Sequence, residues 1–371
     1  MKRVNLSVTN DLSTDQRVDR VCNTLVKMGF EVLLIGRIRR HSLPLKPRQY
    51  RMKRMRLIFN TGPCFYAEYN IRLFFFLLFH KADLLVSNDL DTLLANYVAS
   101  VIRRLPLVHD CHEYFRGVPE LNGRPGTTRA WKKIEDHIFP KLRSVYAVNA
   151  SIAEIYHKEY GIEVRVIRNV PVRKTSVHAK PKSELGIPED SGIILYQGAV
   201  NVDRGLEEAI QAMKYTREKA YLVIIGTGDV LEQLKSLAIE EGVNEKVIFT
   251  GPIAFEDLHE YTLMADIGLS IEKDVSLNYH YCLPNKFLDY IQARIPVLVS
   301  PLPEMKAIVE KYGIGEMIDN HDPQHLAHKS DSMLRKGKNS PLFAENLQRA
   351  AMELCWENEE HELINIYSPY V

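Results

Sequence analysis

A segment in the second half of the chain places an arginine where a helix begins after a buried strand. In YQGAVNVDRGLEEAI, residues 196–210, the predicted strand ends at Gln197–Gly198 and the helix begins near Gly205. The positive end of a helix dipole disfavours a cation such as Arg204. An anion held between the Arg204 guanidinium and the helix N–H groups would explain why an arginine stands at the start of the helix. A diphosphate is the natural candidate. The alternative is a solvated surface arginine.

Two further segments have the same strand-to-helix form. YLVIIGTGD carries Gly226 and Gly228 after a predicted strand but lacks the full G-x-G-x-x-G of nicotinamide enzymes. The two glycines are therefore explained equally well by a nucleotide-binding loop and by a tight strand-to-helix turn. NYHYCLPNKFLDYIQARIP begins a helix at Asn285–Lys286 and places Asp289 one turn later. A carboxylate there can accept hydrogen bonds from a ribose diol, and Lys286 can reach a phosphate. Alternatively, Asp289 only favours the helix dipole.

The elements around these segments alternate between short strands and longer helices, which is typical of parallel sheets. The first series of predicted strands is Val4–Thr9, Glu31–Ile35, Leu84–Ser87, Leu107–His109, Val145–Val148 and Val164–Ile167. The second series is Ile193–Tyr196, Tyr221–Ile225, Val247–Phe249, Ile267–Ser270 and Val297–Ser300. We therefore predict an α/β fold of two Rossmann-like, doubly wound domains facing each other across a cleft. The predicted boundaries are 1–169, a linker over 170–190, 191–355, and C-terminal helical residues 356–371 that return to the first domain.

Composition excludes several classes of protein. The 371 residues are 46% hydrophobic and 26% charged, as in soluble globular proteins. The five cysteines form no C-x-x-C pair, which argues against structural zinc and a disulfide framework and favours a cytoplasmic location. The longest apolar run, Leu73–Phe79, is too short to span a membrane.

Basic residues are concentrated in the first half of the chain. Residues 1–170 contain 28 Lys/Arg and 16 Asp/Glu, whereas residues 171–371 contain 20 and 31. Between Arg37 and Arg56 there are nine Lys/Arg, interleaved with apolar residues, and no acid. This segment predicts docking on an anionic membrane surface, at the inner face of the membrane. A solvated loop is the alternative, and a nucleic-acid partner would have no role in the predicted cleft.

Taken together, the motifs resemble those of a known family. NDLSTDQRV, LVHDCHEYF, VIRNVP, YQGAVNVDRGLEEAI, VIIGTGD, VIFTGPI, LPNKFLDYIQARIPVLVS and CWENEEHELINIY resemble the GT-B glycosyltransferases of retaining family 4 over both domains. The resemblance implies that the second domain binds a nucleotide-sugar as substrate and that the first binds a glycan or lipid-linked acceptor. It also implies transfer with retention of anomeric configuration, in cell-surface polysaccharide or glycolipid synthesis.

The same resemblance assigns roles residue by residue. Residues implied for the donor nucleotide are Gly198, Gly226, Gly228, Pro252, Ile253, Asn285 and Asp289. Asp289 matches the second of two family carboxylates as Asp for Glu, whereas Tyr281 stands where the first is expected. Tyr281, Cys282 and Leu283 therefore fall at the donor sugar. His112, Arg204 and Lys286 take the catalytic positions, and Asp11, Ser13 and Glu113 lie on the acceptor side.

The turn after the first predicted strand departs from the family pattern. The family's glycine-rich turn is replaced by Asn10, Asp11 and Ser13, with Ser13 or Thr14 as the expected helix N-cap.

Asp89 and Asp91 are interpreted as a helix cap rather than a metal pair, and no metal or cofactor is expected. Arg204 and Lys286 would stabilise the leaving diphosphate during same-face attack. His112 would orient the sugar and the acceptor, and simple packing is its alternative.

Other activities remain open at this point. A GT-B nucleotide-sugar epimerase is the alternative enzyme. A non-catalytic GT-B subunit that only binds nucleotide is favoured by Tyr281 in place of an acid. The nucleotide base, the donor sugar and the acceptor are not specified by the sequence.

Overall fold

The structure is a computed structural model that describes residues 1–13, 15–40, 42–118, 121, 123–175, 178–338 and 340–371. It divides into two compact units. The first comprises Met1–Asn169, Ser276–Asn278 and Glu359–Val371, and the second comprises Val170–Val275 and Tyr279–Asn358.

The first unit contains a seven-stranded sheet in the order β3-β2-β1-β4-β5-β6-β7, with all of its paired strands parallel. Its strands are β1 Arg3–Ser7, β2 Glu31–Arg37, β3 Arg51–Met55, β4 Leu84–Asn88, β5 Leu107–Cys111, β6 Ser144–Ala147 and β7 Arg165–Val166. Its helices are α1 Gln16–Lys27, α2 Gly62–Phe79, α3 Leu90–Arg103, α4 Pro125–Ile138 and α5 Ala150–Tyr160. The neighbours of β1 are β2 and β4, so the strand order reverses there, and polar residues at that carboxyl edge are well placed for a site.

The second unit contains a six-stranded parallel sheet in the order β10-β9-β8-β11-β12-β13. Its strands are β8 Gly192–Gln197, β9 Ala220–Ile225, β10 Val247–Gly251, β11 Ile267–Ser270, β12 Val297–Val299 and β13 Gly315–Met317. Its helices are α6 Leu206–Ala212, α7 Leu231–Glu240, α8 Phe255–Thr262, α10 Asn285–Gln292, α11 Pro303–Tyr312, α12 Pro323–Lys336 and α13 Pro341–Glu353. The short helix α9, Leu277–His280, begins in the first unit and ends in the second. The helix α14, Trp356–Tyr367, begins in this unit and ends in the first.

Apolar residues cover both faces of the second sheet. Ile193 and Leu195 of β8 belong to one buried cluster, and Ile194 and Tyr196 belong to the other. Since successive strand residues point to opposite faces, a strand buried on both sides must be apolar throughout. The prediction of two doubly wound α/β domains is confirmed by these two parallel sheets.

Two strands were missing from the prediction. Residues Arg51–Met55 form the edge strand β3, although their charge suggested a loop. Their side chains alternate between exposed and partly buried positions up to the buried Met55, because an edge strand needs only one covered face. The short β13 also escaped prediction, since Gly315–Met317 carries no apolar run.

The turn after β1 corrects the predicted cap of α1. Asp15 is the N-cap, and its carboxylate accepts the backbone N–H of Val18 at 3.0 Å. Ser13 instead donates to the Asp11 carboxylate, and Thr14 lies outside the described residues. Leu12 adopts a left-handed conformation at φ 69° in the turn where the family has glycine. The side chain of Leu12 is buried, so its packing stabilises a backbone conformation that glycine would adopt more readily.

Candidate active site

The carboxyl edge of the first sheet gathers polar side chains from three neighbouring strands. Thr9 follows β1, Asn88 ends β4, and Asp110 lies in β5 just before His112. Asp110 is buried, and its two oxygens receive hydrogen bonds from Arg17 Nε at 3.0 Å and Arg17 Nη2 at 2.6 Å. This bidentate pair joins α1 to β5, so Arg17 of the NDLSTDQRV motif has a positioning role that the sequence did not reveal.

The imidazole of His112 lies between carboxylates. Its Nε2 is 3.0 Å from Asp110 Oδ2 and 3.2 Å from Asn88 Oδ1, and its Nδ1 is 3.6 Å from Asp89 Oδ2. Burial would lower the pKa of His112, but the Asp110 and Asp89 carboxylates outweigh it and raise the pKa to about 9. Burial raises the pKa of Asp89, so Asp110 is the main carboxylate that favours the imidazolium form of His112. An imidazolium can donate hydrogen bonds and offer positive charge, but it is a poor general base.

Asp89 is a positioning residue for His112. Its carboxylate accepts the backbone N–H of His112 at 2.7 Å, and its own N–H donates to the Asp110 carbonyl at 2.8 Å. The predicted cap is confirmed in position, because Asp89 is the N-cap residue of α3, but among the described residues its side chain makes no capping hydrogen bond. Asp91 lies in the first turn of α3, where its carboxylate accepts from Thr9 Oγ1 at 2.6 Å. Asp89 also adopts φ 56°, a conformation that non-glycine residues seldom take and that the surrounding hydrogen bonds must hold.

Further carboxylates lie near His112 and at the carboxyl edge of the first sheet. Burial raises the pKa of Asp91 to about 7, and the Glu113 carboxylate adds to the shift. Glu113 also accepts from Asn278 Nδ2 at 3.1 Å, within the same unit. On the other side of β1, the Asp11 carboxylate accepts both the backbone N–H and the hydroxyl of Ser13. The expected acceptor-side residues thus follow the carboxyl ends of strands β1 and β5.

In the second unit, the expected diphosphate residues meet around a carboxylate that the sequence analysis did not single out. Glu272 is fully buried two residues after β11, and its Oε1 is ion-paired with Lys286 Nζ and lies 3.7 Å from Arg204 Nη1. Ser270 Oγ donates to its other oxygen at 2.9 Å. Burial raises the pKa of Glu272, but Lys286 and then Arg204 lower it overall, so the carboxylate stays ionised.

The two cations also contact aromatic rings. The Arg204 guanidinium lies 4.7 Å from the ring centroid of Tyr279, and Lys286 Nζ lies 4.1 Å from that of Tyr196. Two cations beside one buried carboxylate leave a net positive charge within this cluster. An acid directly after a buried strand is the signal by which Glu272 was detectable in the sequence. Such an arrangement suits a polyanion better than a neutral ligand.

Asp289 lies beside the end of β8. Its Oδ2 accepts from Gln197 Nε2 at 3.2 Å, and Gln197 Oε1 accepts from the hydroxyl of Thr262 at 2.8 Å. Asp289, Gln197 and Phe255 line a small pocket between α8 and α10. The carboxylate is partly exposed, which leaves it accessible to a hydroxyl donor.

The glycines at this edge serve first to let two loops approach. A Cβ at Gly226 would lie 1.9 Å from the carbonyl oxygen of Gly198, and one at Gly228 would lie 2.2 Å from that of Val200. Gly198 has φ 127°, a conformation that favours glycine. The tight-turn interpretation of Gly-x-Gly therefore accounts for both glycines, and their contribution to a nucleotide site stays a prediction.

The remaining predicted donor residues surround the same edge. Pro252 and Ile253 follow β10, and Asn285 begins α10 directly before Lys286. Tyr281 packs edge-on against His280, with ring centroids 4.6 Å apart. Cys282 and Leu283 pack against the buried core, and burial raises the pKa of the Cys282 thiol to about 12. No group of three or more His, Cys, Asp or Glu suited to a metal occurs among the described residues.

Comparison with known proteins matches both units to one enzyme family. The model of the glycosyl transferases group 1 matches residues 178–351, and that of glycosyltransferase family 4 matches residues 15–170. The chain belongs to the group 1 glycosyltransferases of the GT-B fold. The family resemblance seen in the sequence is thus confirmed, and glycosyl transfer is the class of its activity.

Similar proteins share modest sequence identity with this glycosyltransferase. A D-inositol 3-phosphate glycosyltransferase of Xylanimonas cellulosilytica is 21% identical over 74% of this chain and 69% of its own length. An uncharacterized glycosyltransferase of Methanocaldococcus jannaschii is 26% identical over 50% of this chain and 47% of its own length. Beyond the first of these relatives, the matches thus span about half of the relatives' length.

Two solved structures match along essentially the whole chain. Sucrose-phosphate synthase of Thermosynechococcus elongatus has a TM-score of 0.79 at 16% identity, covering 100% of this chain and 99% of that one. HepE of Anabaena, solved with UDP-glucose, has a TM-score of 0.74 at 13% identity, covering 100% of both chains. At these sequence identities, the similarity shows a shared fold and nothing finer. In the part of the chain that the structure describes, no helix is long and apolar enough to cross a membrane.

Proposed function

We propose that this glycosyltransferase moves a sugar from a nucleoside-diphosphate sugar to a glycan or lipid-linked acceptor, with retention of anomeric configuration. The observation that carries the proposal is the cluster of Arg204 and Lys286 around the buried Glu272, beside the partly exposed Asp289. The complexes of the Anabaena protein HepE with UDP and with UDP-glucose support this choice of donor.

The cluster matches the electrostatic demand of the reaction. Cleavage of a sugar–diphosphate bond develops negative charge on the leaving group, and two fixed cations can stabilise that charge without reorganising. Glu272 holds both cations in place and offsets part of the repulsion between them. We propose that the leaving phosphate takes the acceptor proton during same-face attack. This assignment is consistent with a His112 imidazolium that orients its ligands instead of removing a proton.

Titration calorimetry with a nucleoside and its diphosphate tests the donor assignment, using UDP, GDP, ADP and dTDP. Arg204→Ala removes a charge-assisted contact worth about 1.5–3 kcal/mol, so diphosphate affinity should fall roughly 10- to 150-fold while nucleoside affinity changes little. Asp289→Ala should weaken binding of both ligands.

Matched controls are available at the opposite edge of the same sheet. Arg335 pairs with Glu218 before β9, and Asp190 pairs with Lys219 before β8. Arg335→Ala and Asp190→Ala should leave both affinities at the wild-type level. The donor assignment is wrong if Arg204→Ala and Asp289→Ala bind both ligands as the wild type does. A protein that binds nucleotide but transfers no sugar to any acceptor would favour the non-catalytic alternative.

We also propose a membrane-linked acceptor and an anionic membrane surface as partner of residues 37–56. Several cations of this segment have partners within the fold: Arg48 is ion-paired with Asp19, Arg51 with Glu31, and Arg54 donates to the carbonyls of Asp11 and Leu43. Arg39, Arg40 and Arg56 are exposed. The membrane proposal therefore depends on fewer charges than the sequence suggested.

A further inference from the structure

The outward face of helix α2 is apolar apart from the ion pair between Glu68 and Arg72. Its buried face consists of Phe65, Tyr69, Leu73 and Leu77, spaced at four-residue intervals. The opposite face carries the exposed residues Cys64, Ala67, Ile71, Phe75 and Phe79, and the exposed Arg72 beside them is paired with Glu68. A surface helix normally presents polar residues to water, so this second apolar face is unusual.

The exposure of this face is large. Ile71 is 57% exposed, Phe75 is 54% exposed and Phe79 is 81% exposed. Ile58 and Phe59 in the preceding loop are also exposed, and their backbone N–H groups are held by the carboxylate of Glu68 on α2. We call Ile58, Phe59, Ile71, Phe75 and Phe79 the α2 surface. Several large apolar side chains exposed on one helix and the loop before it are typical of an interaction site.

Cations surround the C-terminal end of α2. Lys53 Nζ lies 4.3 Å from the ring centroid of Phe76, whose other contact is a stacked His80. Burial lowers the pKa of His80, and Lys53, Arg51, Arg103 and Arg3 are close enough to lower it further.

The acids at this end compensate only part of that charge. Glu31 pairs with both Arg3 and Arg51, and Asp83 accepts the backbone N–H of Arg3. Arg103 donates to the carbonyls of Leu77, His80 and Ala82, which carry no net charge. Exposed Lys81 and Arg104 add two further cations. An apolar face beside an excess of positive charge is complementary to a bilayer with anionic headgroups.

We propose that the α2 surface inserts shallowly into an anionic lipid bilayer, with the surrounding cations contacting the headgroups. The aromatic side chains of Phe75 and Phe79 would enter the interface between headgroups and acyl chains. This inference places the membrane contact on α2 and β3 rather than on residues 37–50. It does not depend on the donor assignment, so either can fail without the other.

Co-sedimentation with phosphatidylglycerol–phosphatidylcholine vesicles and with pure phosphatidylcholine vesicles tests the proposal. The wild-type protein should bind the anionic vesicles, and more weakly at high salt. The double variant Phe75→Ser, Phe79→Ser should bind at least about tenfold more weakly. As matched control, Ile239→Ser, Leu342→Ser removes two exposed apolar residues of the second unit and should bind as the wild type does. The variant Arg39→Ser, Arg40→Ser measures how much the loop before β3 contributes to vesicle binding.

A second measurement reports insertion directly. Trp131 and Trp356 are buried, so Phe79→Trp introduces an exposed fluorophore. Its emission should shift to shorter wavelength on anionic vesicles and be quenched by brominated lipids. The proposal is overturned if the serine double variant, with wild-type unfolding and nucleotide affinity, binds vesicles normally, or if the wild type binds none. It is also overturned if light scattering shows a dimer that the double variant abolishes, which would assign the α2 surface to a second copy of the chain.

Discussion

At the scale of single residues, the chemistry of this glycosyltransferase depends on buried carboxylates that hold cations in place. Asp110 fixes Arg17 and His112 in the first unit, and Glu272 fixes Lys286 and Arg204 in the second. A buried ion pair contributes little net stability, but removing one partner leaves an uncompensated charge in a medium of low polarity. The residues therefore act as groups, and single substitutions report on the whole cluster.

The Glu272 cluster gives the first prediction. Glu272→Gln leaves the ammonium of Lys286 buried without its carboxylate, and should lower the free energy of unfolding by about 3–5 kcal/mol. Urea denaturation measures the change. The double variant Glu272→Gln, Lys286→Met removes both charges and should recover most of the loss. Equal stabilities of the single and double variants would show that the pair is not coupled.

His112 gives a prediction for pH dependence. Its pKa is raised to about 9 in the folded protein, against about 6.5 for an unperturbed histidine. The stabilisation is therefore fully present below pH 6.5 and is lost as the pH rises towards 9, on the order of 1–3 kcal/mol. Burial also raises the pKa of Asp91 to about 7 and that of Asp89 to about 8, so the ionisation of both acids lowers stability in the same direction.

The contribution of His112 is measured by comparing variants across that pH range. Denaturation of the wild type and of His112→Gln at pH 6.5 and pH 9 should show a smaller loss for the variant. Nitrogen-15 histidine NMR gives the pKa of His112 directly, and Asp89→Asn should lower it. Identical pH profiles for wild type and His112→Gln would contradict the imidazolium assignment.

At the scale of elements, the strand-to-helix turns of the second unit are shaped by backbone contact. Gly226 combines φ 141° with a Cβ position 1.9 Å from the Gly198 carbonyl oxygen. Gly198 has φ 127°, but a Cβ there would meet no atom of the described residues within 4 Å. The two positions thus separate the cost of backbone conformation from the cost of steric overlap.

Alanine substitution tests this distinction. Gly198→Ala should lower the free energy of unfolding by about 1–3 kcal/mol through backbone strain alone. Gly226→Ala should add a further cost of about 1–3 kcal/mol, because the loop after β8 must move to make room. Thermal and chemical denaturation provide the comparison. If Gly198→Ala is the more damaging of the two, the close approach of the loops is not what requires glycine at position 226.

At the scale of the whole molecule, the chain end completes the first unit. Residues Glu359–Val371 belong to that unit, where Glu360 accepts from Thr24 and Lys27. The hydroxyl of Tyr367 lies 3.2 Å from that of Tyr146, and Tyr367 is fully buried. The core of the first unit is therefore built from both ends of the chain.

Tyr367→Ala should therefore destabilise the first unit. Truncation of a buried aromatic side chain costs about 3–5 kcal/mol. Calorimetry should show a lower transition temperature for the first unit, whereas a nucleoside diphosphate should raise that of the second. Leu342→Ser, at an exposed position of the second unit, serves as control. A Tyr367→Ala variant with unchanged unfolding would place the C-terminal residues outside the folding unit.

The sequence by itself determined the fold class and most of the elements, because parallel strands buried on both faces must be continuous apolar runs. It also identified Arg204, Lys286 and Asp289 as candidates, since each lies within about one turn of the start of a helix that the pattern locates. The edge strand β3 was not predicted because its exposed face is basic, which is the pattern of a loop.

Only the tertiary structure decided which charges meet. Glu272 and Lys286 are 14 positions apart, and Arg17 and Asp110 are 93 positions apart. Pairing across such separations depends on which strand ends are neighbours in the sheet, and local sequence carries no information about that order. The same holds for the α2 surface: the apolar run Leu73–Phe79 is visible in the sequence, but only the packing of α2 showed which of its apolar residues stay in contact with water.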